Sequence, residues 1–485
     1  MRQFKILATA LGAALLVAGC GGGGDGNQAP AISYTAVVSF GDSLSDAGSY
    51  GPGLIASTRL TSAAGGGMFN INGIAGAVGS NPTPSYNWAQ LVSAAATGKV
   101  NCAARAGGFG MVEIKVTGCT NYAQGGARVA DGVGNGNSVA GAAAVAAGTA
   151  TTGPLTEAVT KQISNYAVDS GSATFTGKEL ITVLAGANDL FAQTTNLQTA
   201  VPNYLMTTAI PTLAAALLGG APADATTQTR LGTALNTAAG TAAAAAGATP
   251  TSIITAVAQS AGIDAATNVY TNSALATAPT AAGNSVKAFT LSTAKGGMEA
   301  AATTLATAIN SMKANGAQHI VVVNIPDVSQ TPYAMGTIVY TDATKTVVAD
   351  NSTQQLVLAM TMAFNNKLAV QLGATPDAAT NGILFVDAFS ENQRQIANPA
   401  HYALSNVKDV ACDPAKTPVN PADATTASSL VCTTSTLVTK DSKGNTVTQD
   451  QALHFLFADS VHPTPYGYKL LAQYVTQKMV LAGWL

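Results

Sequence analysis

Apolar positions along the chain follow two rhythms. Short continuous runs, TAVVSF (35–40), LITVLAG (180–186), HIVVVNI (319–325) and ILFVDAF (383–389), carry aliphatic and β-branched residues with little polar alternation. Runs of that length suit strands buried on both faces. Elsewhere apolar residues recur at helical spacing: over about 290–315, over STQQLVLAMTMAFNNKLAVQLGA (352–374), and over PYGYKLLAQYVTQKMVLAG (465–483). Strands alternating with helices predict an α/β fold, a parallel sheet covered by helices. Ligands bind such sheets at the C-terminal ends of the strands. The stretch Gly41-Asp42-Ser43-Leu44 follows the first run and therefore falls at that edge.

Two stretches depart from these rhythms. About 195–285 is dominated by Ala and Thr, and from Thr207 to Ala281 its only charged residues are Asp224, Arg230 and Asp264. Alanine favours helix and the Gly and Pro breaks divide it, so a helical insertion is expected, either a cap near the site or a surface hairpin. About 404–450, with two cysteines and DSKGNTVT (441–448), reads as a smaller loop insertion containing a hairpin.

Composition narrows the function. The chain has 485 residues, 47 % of them hydrophobic, ample for a core. Only 9 % are charged, against about 25 % in an ordinary soluble domain. A net charge of −2 supplies no basic field for nucleic acid. Arg2 and Lys5 precede the apolar run ILATALGAALLVAGC (6–20), the pattern of an export signal. The run is short for a membrane span of about 20 residues. LVAGC resembles a bacterial lipobox, so residues 1–19 are expected to be a lipoprotein signal peptide, with lipid on Cys20 and a Gly-rich tether over 20–34. Gly21 stands where an Asp would signal inner-membrane retention, so the expected site is the outer membrane, or the medium if the lipobox is unused. No other segment reads as a membrane span.

With Cys20 lipidated, four cysteines remain, and an exported protein keeps disulfides. Cys102–Cys119 and Cys412–Cys432 are the preferred pairs because each closes a short loop. A zinc site is the rival, weakened by the lack of any C-x-x-C spacing.

The chemistry centres on Ser43. The G-x-S-x-G elbow of many serine hydrolases is broken here by Ser45, which points to a different turn, leading Ser43 from a buried strand into a helix. A serine nucleophile needs a base, and the histidines are His319, His401, His454 and His462. His319 opens a buried strand, His401 lacks a nearby acid and His454 lies among apolar neighbours. His462 stands three residues after Asp459, where a carboxylate in a turn can reach its Nδ1 and steady the imidazolium. Asp42 and Asp46 read as turn and loop residues. Donors for a developing oxyanion are offered by NYAQGGARV (121–129) and by LAGANDLF (184–191), which places Asn188 after the second strand.

Taken in order, Gly41-Asp42-Ser43-Leu44, Asn121 to Ala127, Gly186-Ala187-Asn188-Asp189 and Asp459-x-x-His462 resemble the four blocks of the SGNH, or GDSL, hydrolase family. The resemblance implies a flavodoxin-like three-layer α/β/α sandwich over residues 35–485 and hydrolysis of carboxylic esters without metal or cofactor. It implies Ser43 as nucleophile, His462 as base and Asp459 as its orienter. It also implies an oxyanion hole of the Ser43 N–H, the Gly126 N–H and the Asn188 side chain, with Gly125 left open as the alternative donor. SLSDAGSYG and HIVVVNIPDVSQTP also look like the branch holding secreted esterases, lipases, phospholipases and lipid acyltransferases, some of which carry a C-terminal outer-membrane barrel. Here the chain ends soon after His462, and the N-terminal lipid is expected to anchor it instead. A small-molecule or lipid ester is the expected substrate, and transfer of the acyl group to an alcohol is the alternative. A non-catalytic surface lipoprotein is the rival from another class.

Overall fold

The continuous apolar runs form the central strands of the protein, whose architecture is given by a computed structural model. The structure describes residues 32–49, 67–108, 111–134, 156–221, 224–265, 272–335, 338–340, 347–349, 351–420 and 423–485. The signal segment, Cys20 and most of the tether lie outside these residues. The strands are β1 (Ala36–Gly41), β2 (Glu179–Leu184), β3 (His319–Val323), β4 (Ala378–Thr380) and β5 (Ile383–Val386), ordered β1-β2-β3-β5-β4. All neighbours are parallel except β4, which pairs antiparallel with β5. Every residue of β2 and β5 is buried, as a sheet covered on both faces requires.

The described helices that cover the sheet are α1 (Trp88–Thr97), α2 (Val159–Ser170), α4 (the last turns of Asn272–Ala314), α5 (Asn351–Leu372) and α7 (Pro465–Leu481); α3 (Ala187–Tyr204) leaves the end of β2, and α6 (Ala388–Ala397) follows β5. Alternate strand residues face opposite ways. Val37, Leu180, Leu184, Val321 and Val386 pack with Trp88 and Val92 of α1 and with Tyr468, Val475 and Met479 of α7. On the other face, Phe40 meets Tyr166 of α2 edge to face. The buried stripes Leu305, Ile309 and Met312 of α4 and Val357, Phe364 and Leu368 of α5 lie at helical spacing. The fold is therefore mixed α/β with a mostly parallel central sheet between helices.

The outer edge of β1 is finished by a single bridge. Ser39 N–H donates to the Thr120 carbonyl at 3.1 Å, and Tyr122 N–H donates to the Ser39 carbonyl at 2.8 Å. The parallel bridge Ser39–Asn121 thus occupies the place of a further strand, matching the second strand of a flavodoxin-like order. Its backbone is held from the far side by Cys102, and the Cys102–Cys119 disulfide closes a small antiparallel ribbon, Arg105–Gly108 with Met111–Lys115. Neither this ribbon nor β4, the first strand of the hairpin β4–β5, is signalled by an apolar run. The hairpin does have a signal, Asn381-Gly382, both with positive φ (51° and 77°), as a two-residue turn of that kind needs.

The chain divides into two units. The α/β unit ends at Asn188 and resumes at Ala301. Asp189–Ala300 forms a helical unit with its own core of Leu213, Leu217, Leu231, Leu235, Ile254 and Val257. Its threonines return their hydroxyls to carbonyls four residues back, as Thr229 does to Ala225 and Thr233 to Thr229, which makes a Thr-rich helix self-sufficient in hydrogen bonds. Contrary to the expectation that no segment beyond the N-terminal run reads as a membrane span, the helical run Ala187–Leu218 is long and apolar enough to cross a membrane by length and composition. Its buried side chains Leu205, Ile210, Leu213 and Leu217 nevertheless belong to the core of the helical unit.

Candidate active site

Ser43 sits in a turn rather than at the entry to a helix. Ser45 N–H donates to the Asp42 carbonyl at 3.0 Å, and the Asp42 carboxylate accepts the Leu44 N–H at 3.0 Å. Residues 42–49 run through turns and bends with no helix, and the first described helix starts only at Trp88. This corrects the strand-to-helix expectation: the Asp42 side chain and carbonyl close a local turn on the Leu44 and Ser45 N–H groups, and no helix follows through Ser49. Ser45, at the position of the missing glycine, fastens the turn. Its hydroxyl accepts the Trp88 indole N–H at 3.2 Å and its carbonyl accepts the Asn121 side-chain N–H at 2.8 Å. Gly41 is required for a separate reason, because a Cβ there would stand 2.3 Å from the Leu184 carbonyl oxygen. Gln162 clamps the same residue, accepting its N–H at 2.9 Å and donating to its carbonyl at 2.8 Å.

His462 meets Ser43 across 419 positions of chain, its Nε2 lying 2.8 Å from the serine Oγ. Its Nδ1 lies 2.9 and 2.8 Å from the two Asp459 carboxylate oxygens. Asp459 also accepts the N–H groups of Val461 (3.0 Å), His462 (2.8 Å) and Ser429 (2.9 Å). Burial opposes its charge, but the adjacent His462, the Ser429 side chain and the Val461 N–H prevail and hold the carboxyl well below the usual carboxylate range. The Phe69 ring lies against the His462 ring, centroids 4.8 Å apart.

The donor groups come from three segments that are bonded to one another. Gly41 pairs with Leu184, Gln124 N–H donates to the Gly41 carbonyl at 3.2 Å, and Asn188 donates through Nδ2 to the Ala127 carbonyl at 3.0 Å. Gly125 N–H is committed to the Asp46 carboxylate at 2.8 Å. Gly126, with φ 81°, has no such commitment among the described residues, so the geometry favours Gly126 over Gly125 as an available donor. Asp46 does more than close a loop: besides Gly125 it accepts the N–H groups of Gly48 and Ser49 and the Ser49 hydroxyl. Burial nevertheless pushes its carboxyl up to about 6.

The other histidines lie elsewhere. His319 starts β3, at the strand end opposite the site, edge-on to Tyr34 and Trp484, and burial lowers its pKa. His401 is exposed beside Tyr402. His454 hydrogen-bonds the Asp450 carbonyl through Nδ1 at 2.8 Å and rests on Tyr466. Cys412 and Cys432 are disulfide-bonded, as are Cys102 and Cys119. Sequence reasoning missed Ser429, whose hydroxyl lies 3.3 Å from His462 Nδ1. Nothing but its closeness to Cys432 distinguishes it in a stretch rich in Ser and Thr.

Two comparisons bear on this geometry. The family of GDSL-like lipases/acylhydrolases matches residues 267–475. The match spans β3, β5, Asp459 and His462, supports a place in the SGNH/GDSL family, and supports ester hydrolysis as the general chemistry. Comparison with curated proteins gives no match.

Proposed function

We propose that the protein hydrolyses carboxylic esters through an acyl-enzyme on Ser43. One observation carries the reading: the unbroken relay from Ser43 Oγ through His462 to a buried, ionised Asp459, each link under 3 Å. In the first step His462 Nε2 takes the Ser43 proton as Oγ bonds to the ester carbonyl carbon. Asp459 steadies the imidazolium through Nδ1. The Ser43 N–H, the Gly126 N–H and the free N–H of the Asn188 amide receive the oxyanion. The imidazolium then protonates the leaving alcohol as its C–O bond breaks. Water, deprotonated by the same histidine, attacks the acyl-enzyme and releases the acid. The export reading also stands as a proposal: an envelope lipoprotein lipidated on Cys20, supported by a chain with two disulfides, which persist outside the cytoplasm.

A panel of nitrophenyl esters from C2 to C16, assayed on wild type and Ser43→Ala, tests the reaction. Turnover should vanish in the variant with circular dichroism unchanged, and a fluorophosphonate should label wild type alone. Full activity in Ser43→Ala refutes the proposal. The same panel with an added alcohol acceptor separates hydrolysis from acyl transfer.

A further inference from the structure

We propose that Ser429 is a positioning residue for the Asp459–His462 pair, presented by the loop that Cys412–Cys432 closes; this rests on the ester-hydrolase reading. Ser429 is wholly buried, and a buried polar residue must find partners. Two of its groups turn to the relay: the N–H to Asp459 Oδ2 at 2.9 Å and the hydroxyl to His462 Nδ1 at 3.3 Å. Its carbonyl faces the other way, accepting the Asn72 side-chain N–H at 2.9 Å and the Cys432 N–H at 3.2 Å. The residue is thus a link between the relay and a fixed wall.

The wall is fixed at both ends. Cys412 N–H donates to the Ala458 carbonyl at 2.9 Å, next to Asp459, and the disulfide joins Cys412 to Cys432, three residues beyond Ser429. Asn72 adds a second tie, its N–H donating to the Cys432 carbonyl at 2.8 Å. While His462 Nε2 accepts the Ser43 proton, Nδ1 carries its own hydrogen. That N–H has Asp459 as its main acceptor and the Ser429 hydroxyl as a weaker second one, an arrangement that resists rotation of the ring. The Phe69 ring lies against the imidazole, tilted 37° with centroids 4.8 Å apart, so Ser429 at Nδ1 and Phe69 beside the ring both limit its movement.

Ser429→Ala removes only the hydroxyl and leaves the backbone bond to Asp459. One modest hydrogen bond corresponds to about 3- to 10-fold in rate. The variant should show that fall in kcat with KM within twofold of wild type and circular dichroism unchanged. Its rate of fluorophosphonate labelling should fall by the same factor, and the downfield proton resonance of His462 Nδ1–H should move. A kcat and labelling rate within twofold of wild type, or an unmoved resonance, overturns the inference. Ser43→Ala run alongside separates the two claims: if it is dead while Ser429→Ala behaves as wild type, only the role of Ser429 falls, and if it is active the ester-hydrolase reading falls.

Discussion

The two sides of Ser43 are built on different plans. The proposed base side is local: Asp459 and His462 share one turn, bonded by side chain and backbone at once, and a single loop brings up Ser429. The proposed donor side is assembled from afar, with Gly126 and Asn188 on separate segments joined to the Ser43 turn by backbone bonds, by the Asn188 side chain and by the buried Asp46. Each side has one disulfide beside it. The pKa shifts of the two buried carboxyls also differ in direction. Asp459, facing a histidine, is held low, while Asp46, facing only neutral donors, is pushed up to about 6. A neutral donor set offsets part of the desolvation of a carboxylate; an opposite charge reverses it.

The largest test of this contrast is Asp459→Asn. It keeps the shape of the base side and removes its charge, so kcat should fall by about 10⁴-fold, as in other Ser-His-Asp sites. A loss under tenfold in a steady-state ester assay would show that the base side works without its carboxylate. On the donor side Asn188→Ala should cost about 10²- to 10³-fold in kcat. An effect within twofold would leave Ser43 and Gly126 as the whole oxyanion site.

Next comes removal of each disulfide. Both close loops of similar length, with separations of 17 and 20 residues, so each double Cys→Ala variant should lose about 3 kcal/mol in urea unfolding on the loop-entropy account. Their activities should differ. Loss of Cys412–Cys432 frees the segment that touches Asp459 and His462, whereas Cys102–Cys119 reaches the site through Asn121 and Ser45. The first variant should therefore show the lower kcat under conditions where both are folded. Equal kcat values would mean that the two sides are braced alike.

The smallest effect is on stability against pH. A raised carboxyl binds its proton more tightly folded than unfolded. The stability it contributes is therefore present below the unfolded value near 4 and is lost as pH rises through about 6. Asp459 has the opposite sign: its contribution is present above that unfolded value and is lost as the pH falls toward its depressed folded value. Unfolding free energies of wild type and Asp46→Asn from pH 4 to 8 should show the wild-type advantage shrinking across pH 4–6. An advantage that grows with pH would reverse the sign assigned to Asp46.

The legible parts share a physical character. The strands could be read because burial on both faces removes polar positions from β1, β2, β3 and β5, a constraint written residue by residue. Asp459 and His462 could be read because their contact spans three residues. The antiparallel β4, three residues long and only partly buried, left no apolar run, and its one cue was the Asn381-Gly382 turn. Ser45 looked like a defect in an elbow until Trp88 and Asn121 supplied its partners. Ser429 was not legible, since a serine holding a carboxylate is written no differently from one facing water.

By itself, then, the sequence determined the layered α/β architecture and nominated Ser43, Asp459 and His462, because burial patterns and short-range spacing are properties of neighbouring residues. Tertiary structure decided what joins distant ones. It brought His462 to Ser43 across 419 positions, committed the Gly125 N–H to Asp46, and set Ser429 against His462. A hydrogen bond is specified by ångström-scale distance and direction, and the order of residues along a chain fixes neither for groups that only folding brings together.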